Sequence, residues 1–425
     1  MTQTSHQRNE YHVHVQTPPD RRSVYRRRRI VVFSLLGVLL ISAAYSLGVL
    51  LAPLPASAAT LKPTHTIASP AAKPAWPAAG SAAISAVGYD GLLAQNGSTA
   101  SVPIASMTKT ITALVVLDAK PIAAGSDGPT ITFTNADVQI FNQVIAEGGS
   151  WAPVVAGEQL TEKQALEAML LPSANNYAIS LAIWSHGSVS GFLSAANTWL
   201  KQHGFAGTHL TDPSGLDPGT VSTASDLVGI GKLVLANPVL SSIVKTQTVT
   251  LPGAGTQDNG NALLGKDGID GIKTGFTDQA GHCLMFSAQA EVGGKAMTLV
   301  GVVLNEQSYG ALWTTVPPLL ASAKDGFHSV PLTGAGKTFG SYTTPWGAKA
   351  TVVSTAPSST LVWSDTPITV STTARPVTVA AAGDTVGTAT FTVGKTTVTK
   401  PLTLKHAVPA PGFWWRFTHP FVLLG

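Results

Sequence analysis

An uncharged run of 23 residues near the N-terminus, Ile30 to Ala52, constrains this chain more than any other feature of its sequence. As a helix, a run of this length spans the hydrocarbon core of a bilayer, which takes about 20 apolar residues. Four arginines, Arg26 to Arg29, come directly before it. Because positive charges are retained on the cytoplasmic side, the sequence predicts a cytoplasmic basic tail over residues 1–29 and export of the chain beyond residue 53.

The apolar run has two interpretations, and the sequence leaves both open. A transmembrane signal anchor over residues 30–52 is favoured by length, because cleaved signal peptides have shorter apolar regions. The tripeptide Ala-Ser-Ala at Ala56 to Ala58 is, however, typical of a cleavage site. The predicted location is the extracytoplasmic face of the bacterial cytoplasmic membrane, in the cell envelope, or outside the cell if the signal is cleaved.

Most of the positive charge lies in the basic tail. Residues 1–29 contain seven arginines against Glu10 and Asp20, a balance of +5, so the net charge of +4 for the whole chain leaves −1 for the rest. A body with this charge gives no support for nucleic-acid binding. The single cysteine, Cys283, excludes an internal disulfide bond and a multi-cysteine metal site.

The exported part divides by composition into four segments. Residues 53–79, rich in Pro, Ala and Thr, are predicted to form an extended linker. Between residues 80 and 328, strand patterns at both ends enclose helical patterns, which predicts an α+β domain whose sheet is built from distant parts of the chain. Residues 329–406 are rich in Thr and Val with frequent turns, which is typical of a small all-β domain.

The fourth segment, residues 407–425, is an aromatic tail. Five aromatic residues fall within the nine positions 413–421, beside Arg416. Aromatic side chains with a basic neighbour favour the interface of a bilayer, which would add a second membrane contact. Packing of the same segment on the β-rich domain is the alternative, and the sequence does not separate the two.

A serine and a lysine stand at the start of an otherwise apolar helical segment, Pro103 to Asp118. Their spacing places the side chains of Ser106 and Lys109 on one face of a helix. A lysine in a dry environment holds its proton less tightly, because desolvation penalises the charge. It can then accept the proton of a serine hydroxyl and make that oxygen a nucleophile. The pair alone has little weight, since Ser-x-x-Lys occurs by chance in most chains of this length.

Two further motifs indicate that the pair belongs to a catalytic site. Ser173 and Asn175 form a Ser-x-Asn motif in a helix-rich region, and Lys273-Thr274-Gly275 lies in a predicted strand. The order Ser-x-x-Lys, Ser-x-Asn, Lys-Thr-Gly is the motif set of penicillin-binding proteins and serine β-lactamases.

The sequence around the motifs resembles one branch of these enzymes. The stretches PIASMTKTITALVV, TDPSGLDPGTVSTASDL and DGIKTGFTDQAGHCLMFSA are similar to the D-alanyl-D-alanine carboxypeptidases of the low-molecular-mass penicillin-binding proteins, the S11 serine peptidase type. The resemblance covers residues 79–324. It implies a penicillin-binding-protein/β-lactamase-like transpeptidase domain and the hydrolysis of peptidoglycan stem peptides that end in D-Ala-D-Ala.

The resemblance also implies a role for each motif residue. Ser106 would attack the carbonyl between the two D-alanines, Lys109 would take its proton, and Ser173 would relay a proton to the leaving D-alanine. The backbone N–H groups of Ser106 and Phe276 would form an oxyanion hole, and β-lactams would acylate Ser106. No metal or cofactor is implied. Substrate binding would fall to a set of six residues: Asn175, Lys273, Thr274, Gly275, Phe276 and Thr277.

One position departs from the family pattern. Where the family often has Asp after the asparagine of the second motif, this chain has Asn176. The exchange predicts the loss of a charge near the site.

Three alternatives accompany the carboxypeptidase interpretation. A D,D-endopeptidase acting on peptidoglycan cross-links would use the same residues. A class A β-lactamase needs a glutamate for deacylation, and no glutamate lies between Ser173 and Lys273. A non-catalytic peptidoglycan-binding protein would have lost a motif residue, and all of them are present.

Overall fold

The computed structural model describes Met1 and residues 21–424, so most of the predicted basic tail and the last residue lie outside the described residues. A short 3-10 turn, Ala105–Met107, precedes α2. The helices, in chain order, are α1 (Arg21–Leu51), α2 (Thr108–Ala119), α3 (Asn135–Ala146), α4 (Glu162–Leu170), α5 (Asn175–His186), α6 (Val189–Gln202), α7 (Ala224–Ala236), α8 (Pro238–Lys245), α9 (Tyr309–Asp325), α10 (Phe413–Thr418) and α11 (Pro420–Leu424).

The strands are mostly short before residue 260 and longer after it. In chain order they are β1 (Ala59–Leu61), β2 (His65–Ile67), β3 (Ser81–Ala86), β4 (Ala94–Asn96), β5 (Val102–Pro103), β6 (Thr130–Thr132), β7 (Gln159–Thr161), β8 (Val221–Ser222), β9 (Thr248–Leu251), β10 (Gly255–Asp258), β11 (Ile269–Thr277), β12 (Gly281–Val292), β13 (Lys295–Glu306), β14 (Phe327–Thr333), β15 (Thr338–Thr343), β16 (Lys349–Ser354), β17 (Ser358–Trp363), β18 (Ile368–Ala374), β19 (Thr385–Val393) and β20 (Thr396–Leu404).

The chain divides into two compact units. The first comprises the described residues of 1–67, 331–358 and 368–425, and the second comprises 68–330 and 359–367. The limits predicted from the sequence, 80–328 for a peptidase domain and 329–406 for a β-rich domain, remain a proposal. The two divisions differ most in the segment 53–79, which the sequence treats as a linker.

A five-stranded antiparallel sheet with the order β11-β12-β13-β3-β4 forms the centre of the second unit. β12 and β13 form a hairpin through Gly293 and Gly294, whose φ angles of +59° and +74° are a conformation that glycine adopts without strain. β3 pairs with β13 although the two strands lie at opposite ends of this unit's sequence. The predicted α+β fold, with a sheet built from distant parts of the chain, is confirmed.

This sheet separates two hydrophobic cores. Along β12, Cys283 and Met285 face one core while Leu284 and Phe286 face the other, because side chains alternate across a strand. The first core includes residues of α2, α4, α5, α6, α7 and α8, and the second is closed by α9. The candidate site lies where the helical layer on the first core meets β11, an edge strand of the sheet.

Helix α2 runs through the first core. Ten consecutive residues, Thr108 to Leu117, are buried, and the helix contacts α5, α6 and α7. A helix that is apolar nearly all round has to be surrounded by other elements. Lys109 lies near the N-terminal end of this helix and is buried with it.

The first unit contains a seven-stranded sheet with the order β1-β15-β16-β20-β19-β18-β2. Its two edge strands come from the segment predicted to be a linker, since β1 pairs with β15 and β2 pairs with β18. These residues are extended, as the composition predicts, but their backbone groups are used in a sheet. The Thr, Leu and Ile residues of the two strands favour an extended strand, but the average composition of the segment is dominated by the Pro and Ala residues around them.

The end of α1 packs against the aromatic tail within this first unit. Arg416 of α10 donates hydrogen bonds to the carbonyl oxygens of Leu50 (2.9 Å) and Ala52 (3.0 Å), at a helix end where carbonyls lack intrahelical partners. The hydroxyl of Tyr45 donates to the carbonyl of Phe417 at 2.7 Å, and the two rings meet edge to face. The first helix and the last helices of the described chain are therefore in direct contact.

The same tail contacts the β-rich part of the first unit. The rings of Trp346 and Trp415 meet with centroids 5.8 Å apart, and the indole N–H of Trp346 donates to the carbonyl of Pro409 at 2.8 Å. Trp414 and Phe421 remain exposed, at 73% and 91%. The tail thus has one packed side and one apolar exposed side.

Candidate active site

The three sequence motifs meet in one cleft of about 230 Å³ in the second unit. Of the nine predicted site residues, Lys109 and Lys273 lie buried behind the cleft surface. The other seven line it directly: Ser106, Ser173, Asn175, Thr274, Gly275, Phe276 and Thr277.

Ser106 and Lys109 are in hydrogen-bond contact. The Nζ of Lys109 lies 2.8 Å from the Oγ of Ser106, and it also donates to the carbonyl oxygen of Ser214 at 3.0 Å. The lysine is 0% exposed. Burial holds its pKa well below the usual value, the positive charge of Lys273 lowers it further, and Asp212 opposes both effects. A neutral amine at this distance can accept the proton of the serine hydroxyl.

The backbone around Ser106 has an unusual conformation that neighbouring glycines permit. Ala105, directly before the serine, has a φ of +48°, which non-glycine residues seldom adopt. Gly215, with a φ of +82°, packs so closely that a Cβ there would overlap the carbonyl oxygen of Ala105. The hydroxyl of Thr108 donates to that same oxygen at 2.7 Å. These contacts fix the turn that presents Ser106.

Gly275 of the third motif allows β11 to pass beside this turn. A Cβ on Gly275 would lie 3.1 Å from the backbone nitrogen of Ser106 and 3.2 Å from the carbonyl oxygen of Ile104. The next residue, Phe276, stacks its ring on His282 with centroids 4.2 Å apart. The strand and the turn that carries Ser106 are therefore adjacent along the cleft.

In the second motif, the hydroxyl of Ser173 has no partner among the described residues, and the backbone of Asn175 is held by a hydrogen bond. Ser173 has a φ of +67°, and its buried Oγ has no hydrogen-bond partner among the described residues. Asn175, at the start of α5, is 4% exposed, and its backbone N–H donates to the carbonyl of Ser150 at 2.8 Å. Because buried hydroxyls are nearly always hydrogen-bonded, the oxygen of Ser173 is available to a group that enters the cleft.

The side chain of Asn176 is hydrogen-bonded to the loop at Ala152 and does not line the cleft. Its side-chain amide donates to the carbonyl of Ala152 at 2.9 Å and accepts from the N–H of Ala152 at 3.2 Å. An aspartate in the same place would have no proton to donate. The asparagine at position 176 can therefore make both hydrogen bonds to the loop at Ala152, and an aspartate could make only one of them.

Lys273 is the second buried amine of the site. It is 2% exposed, and burial lowers its pKa to about 7. Residues 69–308 contain no arginine, so lysine side chains supply the cationic character of this cleft. Beside Lys273, Thr274 and Tyr309 of α9 both line the cleft. Sequence reasoning missed Tyr309, because no local motif marks it.

Asp212 organises the loop that holds Lys109. Its carboxylate accepts backbone N–H groups from Ser214 (3.0 Å), Gly215 (2.9 Å) and Leu216 (3.1 Å). It thereby fixes the Ser214 carbonyl that accepts from Lys109. The sequence Thr-Asp-Pro-Ser-Gly signals a turn, but nothing in it shows that the turn faces the lysine.

A family model described as D-alanyl-D-alanine carboxypeptidase, peptidase family S11, matches residues 69–308. The chain belongs to this family. The matched segment contains all three motifs and every residue that lines the cleft except Tyr309.

Curated relatives of two kinds are similar to this chain. The D-alanyl-D-alanine carboxypeptidase DacA of Escherichia coli K12 is 29% identical over 241 residues, which cover 56% of this chain and 58% of that protein. The D-alanyl-D-alanine endopeptidase of the same strain is 34% identical over 197 residues, covering 43% and 58%. The chain thus spans less than two thirds of the length of these relatives.

A solved structure is similar over the same region. The crystal structure of the Streptomyces K15 DD-transpeptidase superposes with a TM-score of 0.52 at 26% identity, covering 58% of this chain and 97% of that one. The predicted penicillin-binding-protein-like fold is confirmed by this likeness and by the family match.

Substitution of Gly215 by alanine should impair the site through the backbone of Ala105. We expect Gly215→Ala to slow acylation by benzylpenicillin by about 100-fold, because a displacement of about 1 Å at a reacting group has an effect of that size. Gly204→Ala is the matched control, since Gly204 has a φ of +79° but an added Cβ would meet nothing within 4 Å. Equal acylation rates for the two variants would contradict this account of the turn.

The pKa of Lys273 predicts a pH dependence of carboxylate binding. The protonated amine binds a carboxylate, so affinity should be constant below pH 7 and weaken as the pH rises through the pKa of about 7. The measurement is KM for a D-Ala-D-Ala peptide as a function of pH, separated from kcat. Lys273→Arg keeps its charge and should abolish the rise in KM. A KM for the unaltered protein that does not change between about pH 6 and 9 would refute the assignment.

Proposed function

We propose that this chain is a serine D,D-carboxypeptidase that removes the terminal D-alanine from peptidoglycan stem peptides through an acyl-enzyme on Ser106. The observation that carries the proposal is the 2.8 Å contact between the Ser106 hydroxyl and the fully buried amine of Lys109. Membership of the S11 family supports the substrate class. The enzyme would act in the synthesis and remodelling of the cell wall.

Acylation proceeds by proton transfer within the cleft. Neutral Lys109 takes the hydroxyl proton as the Oγ of Ser106 attacks the carbonyl carbon between the two D-alanines. The N–H groups of Ser106 and Phe276 stabilise the negative oxygen that forms. The C–N bond then breaks, and the proton taken by Lys109 passes through the Ser173 hydroxyl to the leaving nitrogen. Water then enters, loses a proton to the neutral Lys109 and attacks the acyl carbon. The ester bond to Ser106 breaks, the proton returns to its Oγ, and the shortened peptide is released.

Substrate binding uses the cationic side of the cleft. The terminal carboxylate binds Lys273 with the hydroxyls of Thr274 and Thr277, because a cation and hydroxyl donors suit a free C-terminus. Asn175 holds the peptide amide on the opposite side, and Gly275 keeps β11 close to the acyl group. In this proposal β-lactams, which mimic the substrate, bind covalently in the same place.

The covalent step can be tested by intact mass. We expect benzylpenicillin to form a long-lived adduct on the full chain in detergent and none on Ser106→Ala. The adduct should persist because no carboxylate lines the described cleft, and Asp212 is occupied by the N–H groups of its own loop. A rapidly lost adduct with consumption of the drug would indicate a β-lactamase. No adduct on either protein would refute the nucleophile.

A D,D-endopeptidase activity is the second candidate, because the 34% identical relative carries that name. It would use the same nucleophile and base, so residue chemistry does not separate the two. Product analysis does: a stem pentapeptide yields free D-alanine with a carboxypeptidase, whereas a cross-linked dimer yields two monomers with an endopeptidase. Faster cleavage of the dimer would replace the first proposal with the second.

The proposed location is the extracytoplasmic face of the cytoplasmic membrane, with α1 retained as an anchor. Two observations support it. α1 is long and apolar enough to cross a membrane, and its apolar part follows the arginines at its N-terminal end. The C-terminal end of α1 also bonds Arg416, so cleavage after Ala58 would leave the aromatic tail without this partner. The exposed rings of Trp414 and Phe421 suit the bilayer interface beside that helix.

Retention of the anchor has a direct readout. We expect the protein extracted from membranes to have the mass of a chain that includes residues 30–52, because the aromatic tail packs on the end of this helix. A mass corresponding to a chain that begins at Ala59 would show a cleaved signal instead. An Ala56→Leu, Ala58→Leu variant is the control, because larger residues at these positions should block cleavage and restore the longer mass in that case.

A further inference from the structure

A row of aromatic rings, the aromatic row, crosses from β11 over β12 to α9. Phe276 stacks on His282 with centroids 4.2 Å apart and 26° between the ring planes. His282 meets Tyr309 edge to face at 4.5 Å, and Tyr309 stacks on Trp313 at 5.5 Å. Phe276 and Tyr309 line the cleft, whereas His282 does not. His282 therefore contacts two residues of the cleft wall from outside the cleft.

The backbone of β12 places His282 beside Phe276. The two residues are directly opposite each other in the β11–β12 register, so their side chains lie on the same face of the sheet. Towards β13, the register of β12 shifts between His282 and Leu284, and Asn305, which lies within this shift on β13, has a φ of +58°. Irregularities of this kind redirect side chains and are frequent beside active sites. The direction of the histidine ring is therefore a feature of this part of the sheet.

Two ring contacts hold the imidazole of His282. Its Nδ1 is buried and has no hydrogen-bond partner among the described residues. Stacked and edge-to-face rings attract each other, because the face of a ring is negative and its edge is positive. Phe276 is 46% exposed, and within the described chain its ring stacks on no other aromatic side chain. Loss of the His282 ring would therefore leave Phe276 without its stacking partner.

The position of Phe276 affects the proposed reaction through its backbone. Its N–H is one of the two proposed donors to the negative oxygen, and such donors act at about 2.7–3.1 Å from that oxygen. β11 is already close to the nucleophile, since a Cβ on Gly275 would lie 3.1 Å from the backbone nitrogen of Ser106. A small displacement of the strand at Phe276 would therefore weaken the stabilisation of the transition state.

We propose that His282 is a positioning residue, which fixes the N–H of Phe276 in the oxyanion hole and holds Tyr309 against the same cleft. It acts through the packing of its ring and takes no part in proton transfer. An aliphatic side chain at this position fills the space without restoring the stack. The inference rests on the proposed function, because it uses the oxyanion hole given there.

The test uses two substrates that differ in one atom, with the full chain in detergent. One is an ester analogue of the stem peptide that ends in D-alanyl-D-lactate, and the other is its thionoester, in which sulfur replaces the oxygen of the scissile carbonyl. Sulfur accepts hydrogen bonds weakly, so an intact oxyanion hole favours the ester.

We expect kcat/KM for the ester to fall about tenfold in His282→Leu, which is less than the loss of about 10²–10³-fold when a donor is removed outright. The thionoester should be affected little, so the preference for the ester should fall by the same factor. His282→Phe keeps a ring for the stack and should retain both the rate and the preference. Weaker binding or partial unfolding would instead slow both substrates equally.

A double-mutant cycle shows whether the effect passes through Phe276. Phe276→Leu removes the same stack from the other side, so the variant with both changes should be no slower than His282→Leu alone. The matched control is His203→Leu, since His203 stacks on Trp199 at 3.9 Å in the same unit but does not line the cleft. This control should keep the rate and the preference of the unaltered protein.

An undiminished preference for the ester in His282→Leu would overturn the proposal, as would its loss in His282→Phe or additive losses in the double variant. Thermal unfolding checks that each variant is folded. If His282→Leu does not fold, a normal rate and preference in Phe276→Leu would overturn the proposal instead. An unaltered protein that hydrolyses neither substrate and forms no adduct with benzylpenicillin would refute the proposed function itself.

Discussion

A lysine without solvent contact is the constraint on which the rest of this site depends. Lys109 lies at the end of a helix that is buried over ten consecutive residues, so its amine has no water to stabilise a charge. Lys273 is buried nearby and disfavours a second positive charge. Two amines in one dry site can therefore hold different protonation states, which the proposed mechanism requires of a base and of a cation that binds a carboxylate.

Residues that take no direct part in the proposed proton transfer hold Ser106 and Lys109 in position. Asp212 fixes the loop whose carbonyl accepts from Lys109, and Gly215 leaves space for the backbone before Ser106. Asn176 attaches the loop at Ala152. A carboxylate, a glycine and an amide thus hold the backbone around Ser106 and Lys109 in place, and the proposed proton transfer depends on that placement.

The sequence predicts local features of this fold well. The spacing of Thr161 and Gln164 is typical of a capping box, which is present at the start of α4, and the Gly293-Gly294 pair is typical of a turn and connects β12 to β13. Each depends on residues close together in the chain. The three motifs can be recognised for the same reason, because the chemistry of each is carried within four residues or fewer.

Features set by distant parts of the chain are not predictable in this way. Tyr309 enters the cleft because α9 packs behind β12, and no pattern around it encodes that contact. The partner of Asn176 is a backbone group of another loop, so its composition alone indicates only a lost charge. The strands β1 and β2 cannot be predicted from the sequence, because their partners lie far along the chain. Edge strands of three residues are also too short to show an alternating pattern.

The pairing of β1 and β2 with strands at the other end of the chain determines an order of events during synthesis. β1 and β2 have their partners in β15 and β18, which are synthesised only after residues 68–330 of the second unit. Contacts so remote in sequence form late, whereas the second unit contains the partners of its own sheet. The second unit can therefore form its sheet while β1 and β2 are still unpaired, and the sheet of the first unit is completed only when β18 to β20 have been synthesised.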